Sequence, residues 1–150
     1  MKLIAFDTNV LVYAELEKTT PKGRLARRLI SVLTGQGIMP AQVLGEFLTV
    51  VRRRLPTAWS EARRQAEAYR SVFSIVPTDA DLVLAAAAFA ERYRLQFWDA
   101  VVWQASRQGG ASILLTEDMQ NGFTTDGMRA LDPFVAPDWT ALAADLGISA

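Results

Sequence analysis

Short apolar runs alternating with segments of helical periodicity predict an α/β chain, built as three α/β/α layers around a mostly parallel sheet of four to five short strands. Two observations carry this. The runs Lys2 to Phe6 and Ser112 to Leu115 are apolar without alternation, as in strands buried on both faces of a parallel sheet. Between them, Leu44, Phe47, Leu48, Val51 and Leu55 recur at helical spacing. With 150 residues, no repeat, no low-complexity tract and no linker, the expectation is one domain over residues 1–150.

Taken in order, the first strand ends at Phe6, and Asp7, Thr8 and Asn9 are positioned to cap a helix after it. A second helix is expected from Pro21, suited to a first turn, to about Leu33, where Gly35 and Gly37 end it. Ile38-Met39 reads as a very short strand. The helix from Ala41 to Leu55 is stopped by Pro56. Ser60 to Val72, rich in Arg, Glu and Ala, reads as an exposed helix, and Ser74 to Val76 as a strand. Thr78 with Asp81 fits a capping box, with Asp79 also assigned to capping, opening a helix whose Leu82, Ala86, Phe89 and Tyr93 share a face. Another helix begins near Asp99 and ends at Gly109-Gly110. After the strand to Leu115 the chain is loop-rich, with a strand expected within Met128 to Val135 and a short helix from Trp139 to Leu146. Trp98 and Trp103 are expected in the core; Trp59 and Trp139 receive no place.

Composition removes several chemistries. There is no cysteine and no histidine. This excludes disulfides, thiol and imidazole catalysis, and zinc sites built from Cys or His. Carboxylates, hydroxyls, amides and arginines remain, the ligand set of hard cations such as Mg²⁺ or Mn²⁺. The N-terminal apolar stretch meets Asp7 too early for a signal peptide, and no run is long enough to span a bilayer. A cytoplasmic protein without membrane attachment is expected. Net charge is zero but unevenly placed: residues 18–70 carry +8, residues 1–17 carry −2 and residues 71–150 carry −6. Such asymmetry fits either a basic surface for a polyanion beside an acidic metal site, or solvated helix faces. The same two readings apply to the Arg52-Arg53-Arg54 run and to Arg63-Arg64.

Four acids interrupt or end apolar runs: Asp7, Glu46, Asp99 and Asp118. In a parallel sheet, ligands sit off the carboxyl ends of strands at the topological switch point. Asp7 and Asp118 fall just past predicted strand ends, and Glu46 and Asp99 in the first turns of helices starting at the same edge. Two carboxylates about 5 Å apart at an effective dielectric of 20 repel by roughly 3 kcal/mol. Against a total stability of about 5–15 kcal/mol, four clustered acids require protonation, basic partners or a metal. Their sequence neighbours are not basic, which favours metal. Taken singly, Asp7 and Asp99 could be N-caps, Glu46 a half-exposed helix residue, and Glu117 competes with Asp118.

These segments together resemble the PIN-domain nucleases, above all the VapC-type toxins of bacterial toxin–antitoxin pairs. Asp7-Thr8-Asn9-Val10 resembles the opening signature. Glu46 within Val43-Leu44-Gly45-Glu46-Phe47 resembles the second acid, Asp99-Ala100-Val101-Val102 the third, and Thr116 to Gly122 the fourth segment. The likeness runs in order along essentially the whole chain. It implies that Asp7, Glu46, Asp99 and Asp118 ligate one or two Mg²⁺ or Mn²⁺ ions, with Thr8, Asn9, Thr116 and Glu117 in support. Water made more acidic by the cation would hydrolyse RNA phosphodiesters, with tRNA or ribosomal RNA as substrate. On the basic-surface reading of the charge pattern, Arg52, Arg53 and Arg54 are the candidate RNA contacts. It also implies a homodimer and a small antitoxin protein as partner. Where relatives often end the fourth segment in a plain Asp-x-Asp-Phe, this chain has Glu117-Asp118-Met119-Gln120-Asn121-Gly122, leaving open whether Glu117 shares the metal.

Two other classes compete. A haloacid-dehalogenase-like phosphatase needs a second Asp two residues after the first, where this chain has Asn9. A receiver domain wants a Lys at a later strand end, but Lys occurs only at positions 2, 18 and 22. Outside enzymology, the chain could be a catalytically idle PIN scaffold that binds RNA or protein.

Overall fold

The computed structural model describes residues 1–150. Its centre is a six-stranded sheet flanked by helices, with strands β1 (Ile4–Phe6), β2 (Gly37–Pro40), β3 (Ser74–Val76), β4 (Ile113–Leu115), β5 (Thr124–Thr125) and β6 (Met128–Leu131). The spatial order is β3-β2-β1-β4-β6-β5. All neighbours run parallel except the β5–β6 hairpin. The three-layer α/β expectation holds. The sheet has six strands instead of four to five, because β5 is a two-residue strand paired back through a turn at Asp126 and Gly127, both at positive φ. That geometry suits an Asp-Gly hairpin turn.

The helices are α1 (Thr8–Leu16), α2 (Pro21–Val32), α3 (Ala41–Arg54), α4 (Trp59–Val72), α5 (Ala80–Tyr93), α6 (Phe97–Gln108) and α7 (Trp139–Leu146). Local chemistry explains their starts. Thr20 caps α2 through Gly23 N at 3.0 Å, with Pro21 in the first turn. The capping box expected at Thr78 and Asp81 is not formed: Asp79 caps α5, accepting from Leu82 N at 2.9 Å. The strand expected within Met128 to Val135 stops at Leu131, and Pro133–Val135 coils into a 3₁₀ turn, since proline has no N–H for a ladder.

The core is continuous. Ile4, Ala5 and Phe6 are fully buried in the central strand, and Phe6 packs against Phe73 with ring centroids 5.2 Å apart. α6 lies on β2 and β3, where Gly109 approaches Ile38 and Val76 too closely to admit a Cβ. Trp103 is wholly buried there and stacks on Phe89 of α5. Trp98 corrects the expectation: it is 46% exposed, because its position at the open end of α6 turns the indole outward. Trp139, unplaced from sequence, carries Arg28 of α2 at 3.7 Å over its ring and so ties α7 to the body. No helix is long and apolar enough to cross a membrane.

β1 is the switch point: β2 lies on one side of it and β4 on the other. The ladder runs beyond the strand ends, with Asp7 N donating to Leu115 O and Thr116 N to Leu131 O, each at 3.0 Å. This fixes Asp7 and Thr116 side by side at the carboxyl edge, the crevice where open α/β sheets bind ligands.

Candidate metal centre

Asp7 follows β1 directly and caps α1, its Oδ1 accepting from Thr8 N at 2.7 Å. Its other oxygen, Oδ2, accepts from Thr116 Oγ1 at 2.7 Å. Thr116 Oγ1 in turn accepts from Asp118 N at 3.1 Å, so one buried hydroxyl positions two acids. Asn9 Nδ2 donates to Asp118 Oδ1 at 3.0 Å. Asp99 sits in the first turn of α6, but it is not the N-cap: Gln96 caps that helix by accepting from Asp99 N at 2.9 Å. The Asp99 carboxylate is therefore free to face the other two. Ligand oxygens from Asp7, Asp99 and Asp118 all lie within 4.8 Å of one another.

Glu46 stands apart from that trio. It is the sixth residue of α3, which starts at Ala41 as expected, and so lies in the second turn of that helix and not the first. Its Oε2 accepts from Thr8 Oγ1 at 2.6 Å and its Oε1 from Gln42 Nε2 at 2.7 Å. It lines an open groove of about 710 Å³ with Thr8, Asn9, Arg53, Thr78 and Asp118. Glu117 turns the other way. Tyr13 Oη donates to its Oε1, and Lys22 Nζ lies 3.0 Å from its Oε2 and over the Tyr13 and Phe134 rings. The four-acid convergence expected from sequence thus becomes three acids in one cluster, Glu46 on the adjoining groove wall, and Glu117 held outside.

The electrostatics follow from this placement. Burial pushes the Asp7 carboxyl up to about 7; the bonds from Thr116 and Thr8 oppose the rise, and the charges of Asp118 and Asp99 add to it. Asp99 is pushed up to about 6, by burial first and then by Asp118 and Glu46. Asp118, more exposed, is raised by burial and by the charge of Glu117, against the bond from Asn9. No Lys or Arg forms an ion pair with any of the three. Oxygen-only donors, one of them buried, at coordination spacing and without a basic partner fit a divalent hard cation such as Mg²⁺ or Mn²⁺.

The arginine run splits. Arg53 lines the groove beside Glu46, Arg52 lies over Trp59 at 5.4 Å, and Arg54 turns back to Glu17 at 3.7 Å. Sequence reasoning missed Gln42, Tyr13 and Lys22. Gln42 and Glu46 are one helical turn apart, a spacing visible in the sequence. Tyr13 and Lys22 meet Glu117 from 104 and 95 residues away, and no local pattern marks them.

Comparison with known proteins agrees with this geometry. No curated protein matches the sequence. Among solved structures, the chain is similar to the sarcin–ricin-loop-cleaving toxin VapC20 of Mycobacterium tuberculosis, with 23% identity and a TM-score of 0.62, over 74% of this chain and 86% of that one. A toxin–antitoxin complex from Klebsiella pneumoniae gives 19% identity and a TM-score of 0.62, over 83% and 94% of the two chains. A DNA-bound VapBC from Salmonella typhimurium gives 15% and 0.63, over 87% and 97%. At these identities the likeness is one of fold. The family model described as the PIN domain matches residues 4–121, which takes in β1 through β4 and every acid of the cluster, and on that match the chain belongs to the PIN domain family.

Proposed function

We propose that this chain is a metal-dependent endoribonuclease, the toxin of a toxin–antitoxin pair. One observation carries the reading: three carboxylates converge within 4.8 Å at the sheet's switch point with no basic side chain to neutralise them. A bound divalent ion would supply the charge that acidifies a water and offsets the negative charge developing on the phosphodiester. Asp7, Asp99 and Asp118 would hold that ion, Thr116 and Asn9 would fix the first and third of them, and Glu46 would face the substrate from the groove wall. Hydrolysis adds the water oxygen to phosphorus and breaks the bond to the 3′ oxygen, leaving a 5′-phosphate and a 3′-hydroxyl. No imidazole is needed, in keeping with a chain that has no histidine. Ribosomal RNA and tRNA are the proposed substrates, a small antitoxin protein the proposed partner, a homodimer the proposed state, and the cytoplasm the proposed compartment. The antitoxin has support in the fold shared with chains from toxin–antitoxin complexes.

The test is cleavage of total cellular RNA by purified, partner-free protein with Mn²⁺ or Mg²⁺, beside Asp7→Asn and a chelator control. Discrete cuts bearing 5′-phosphates, reduced at least about 100-fold in Asp7→Asn, are expected. An identical pattern from wild type and Asp7→Asn would refute the nuclease and leave the idle scaffold in its place.

A further inference from the structure

Two shallow hollows continue the groove beside Glu46 across the surface of α3 and α4. The first, of about 350 Å³, shares Thr49 and Arg53 with the groove and adds Leu48, Arg52 and Trp59. The second, of about 510 Å³, shares Leu48 with the first and adds Ser60, Arg63, Arg64 and Glu67. The three depressions, each sharing a lining residue with the next, thus lie in succession from the acidic site outward over the α3–α4 junction.

The path is basic, and its charge is unspent. Arg52, Arg53, Arg63 and Arg64 are exposed, and none pairs with a carboxylate, although Arg54 and Arg70 beside them pair with Glu17 and Glu67. Glu67, the acid on the path, is therefore already engaged by Arg70. Four free guanidinium groups repel one another; the last turn of α3 favours basic side chains at Arg52 and Arg53, but Arg63 and Arg64 lie in the N-terminal half of α4, where the helix dipole gives no reason for them. Trp59 adds a half-buried aromatic plane with Arg52 5.4 Å over its ring.

We propose that this α3–α4 path is an RNA-binding track that carries the strand flanking the cut, with Arg52, Arg53, Arg63 and Arg64 on its phosphates. The assignment rests on the ribonuclease reading above and deepens it. Guanidinium forks match phosphate oxygens in pairs, and a positive groove with an aromatic side chain is how single-stranded nucleic acid is held without sequence preference. A polyanion is favoured over a protein partner because the track opens directly into the cleft that would hold the scissile phosphate.

The test measures binding rather than turnover, so its outcome is separate from that of the cleavage assay. In an Asp7→Asn background with Mg²⁺, the affinity for a labelled single-stranded RNA of about 30 nucleotides, long enough to exceed one site, is followed against KCl concentration. Arg63→Gln/Arg64→Gln lies outside the acidic site and changes only exposed side chains; unchanged melting confirms its fold. It is expected to weaken binding and to make the slope of log Kd against log[KCl] shallower by about 1.4, for two single-strand phosphate contacts. Arg92→Gln/Arg107→Gln, which removes the same charge from α5 and α6, is expected to leave the slope unchanged. An equal slope in the track variant and its parent, an equal loss in the control variant, or no binding by the parent would each overturn the track. So would a track variant that keeps its RNA slope yet no longer binds an acidic partner protein; the face would then be a protein interface.

Discussion

Glu117 and Asp118 are neighbours on one loop, yet they have opposite surroundings. Glu117 accepts from Tyr13, pairs with Lys22 at 3.0 Å and is neutralised. Asp118 receives one amide bond from Asn9 and otherwise faces Asp7 and Asp99 across coordination distances. The same loop therefore satisfies one carboxylate locally and leaves the next in a cluster of like charge. An acid is marked for a cation less by its type or position in sequence than by what the fold withholds from it.

The contrast breaks most directly by neutralising each acid in turn. Asp118→Asn is expected to lower Mn²⁺ affinity, read by calorimetry, by about 100-fold or more, while Glu117→Gln stays within about threefold of wild type. Equal losses in the two variants would mean that Glu117 reaches the metal and that its Lys22 contact is incidental. Removing the hydroxyl that serves two members of the cluster sharpens the same point. Thr116→Val keeps the buried shape but strips the donor from Asp7 Oδ2 and the acceptor from Asp118 N, and is expected to weaken Mn²⁺ binding by about 10- to 100-fold. Unchanged affinity would show that the ion sits elsewhere.

The pH dependence of stability tests the same contrast without a metal. Asp7 at about 7 and Asp99 at about 6 bind protons more tightly folded than unfolded, where both lie near 3.8. Their contribution is fully present below about pH 4 and is lost as pH rises through 6 and 7. For the buried Asp7 the loss is roughly 1.4 kcal/mol for each pH unit over which it is protonated folded and ionised unfolded. Asp99, partly exposed, adds less because solvent screens it. Metal-free protein should therefore melt higher at pH 5 than at pH 7.5 as far as these two groups decide. Saturating Mn²⁺ should remove or reverse that difference. A metal-free melting temperature that rises from pH 5 to 7.5 would count against the uncompensated cluster.

Much of this was legible in the sequence because it is local. Apolar runs without alternation located β1 and β4, and an acid or hydroxyl directly after each run marked the edge where a parallel sheet binds ligands. The Asp-Gly at 126–127 carried the hairpin, but a two-residue strand has no periodicity to reveal it. What the sequence could not show is which acid is neutralised. Tyr13 and Lys22 reach Glu117 from α1 and α2, through contacts that exist only in the folded chain. Likewise, nothing in Arg52-Arg53-Arg54 tells which arginine meets Glu17, which lies over Trp59 and which lines the groove. A helical pitch of about 100° per residue sends three consecutive side chains in three directions, and the neighbours that receive them come from other elements.

The bond between Thr116 and Asp7 spans 109 residues of chain. Until a ribosome has made β4 and the loop after it, β1 lacks one of its two neighbours, Asp7 lacks its hydroxyl donor and the third carboxylate does not exist. An unfinished chain is therefore a polypeptide with no assembled centre, whatever its N-terminal part has already folded into. Whatever needs all three carboxylates waits until the chain has been made through Asp118.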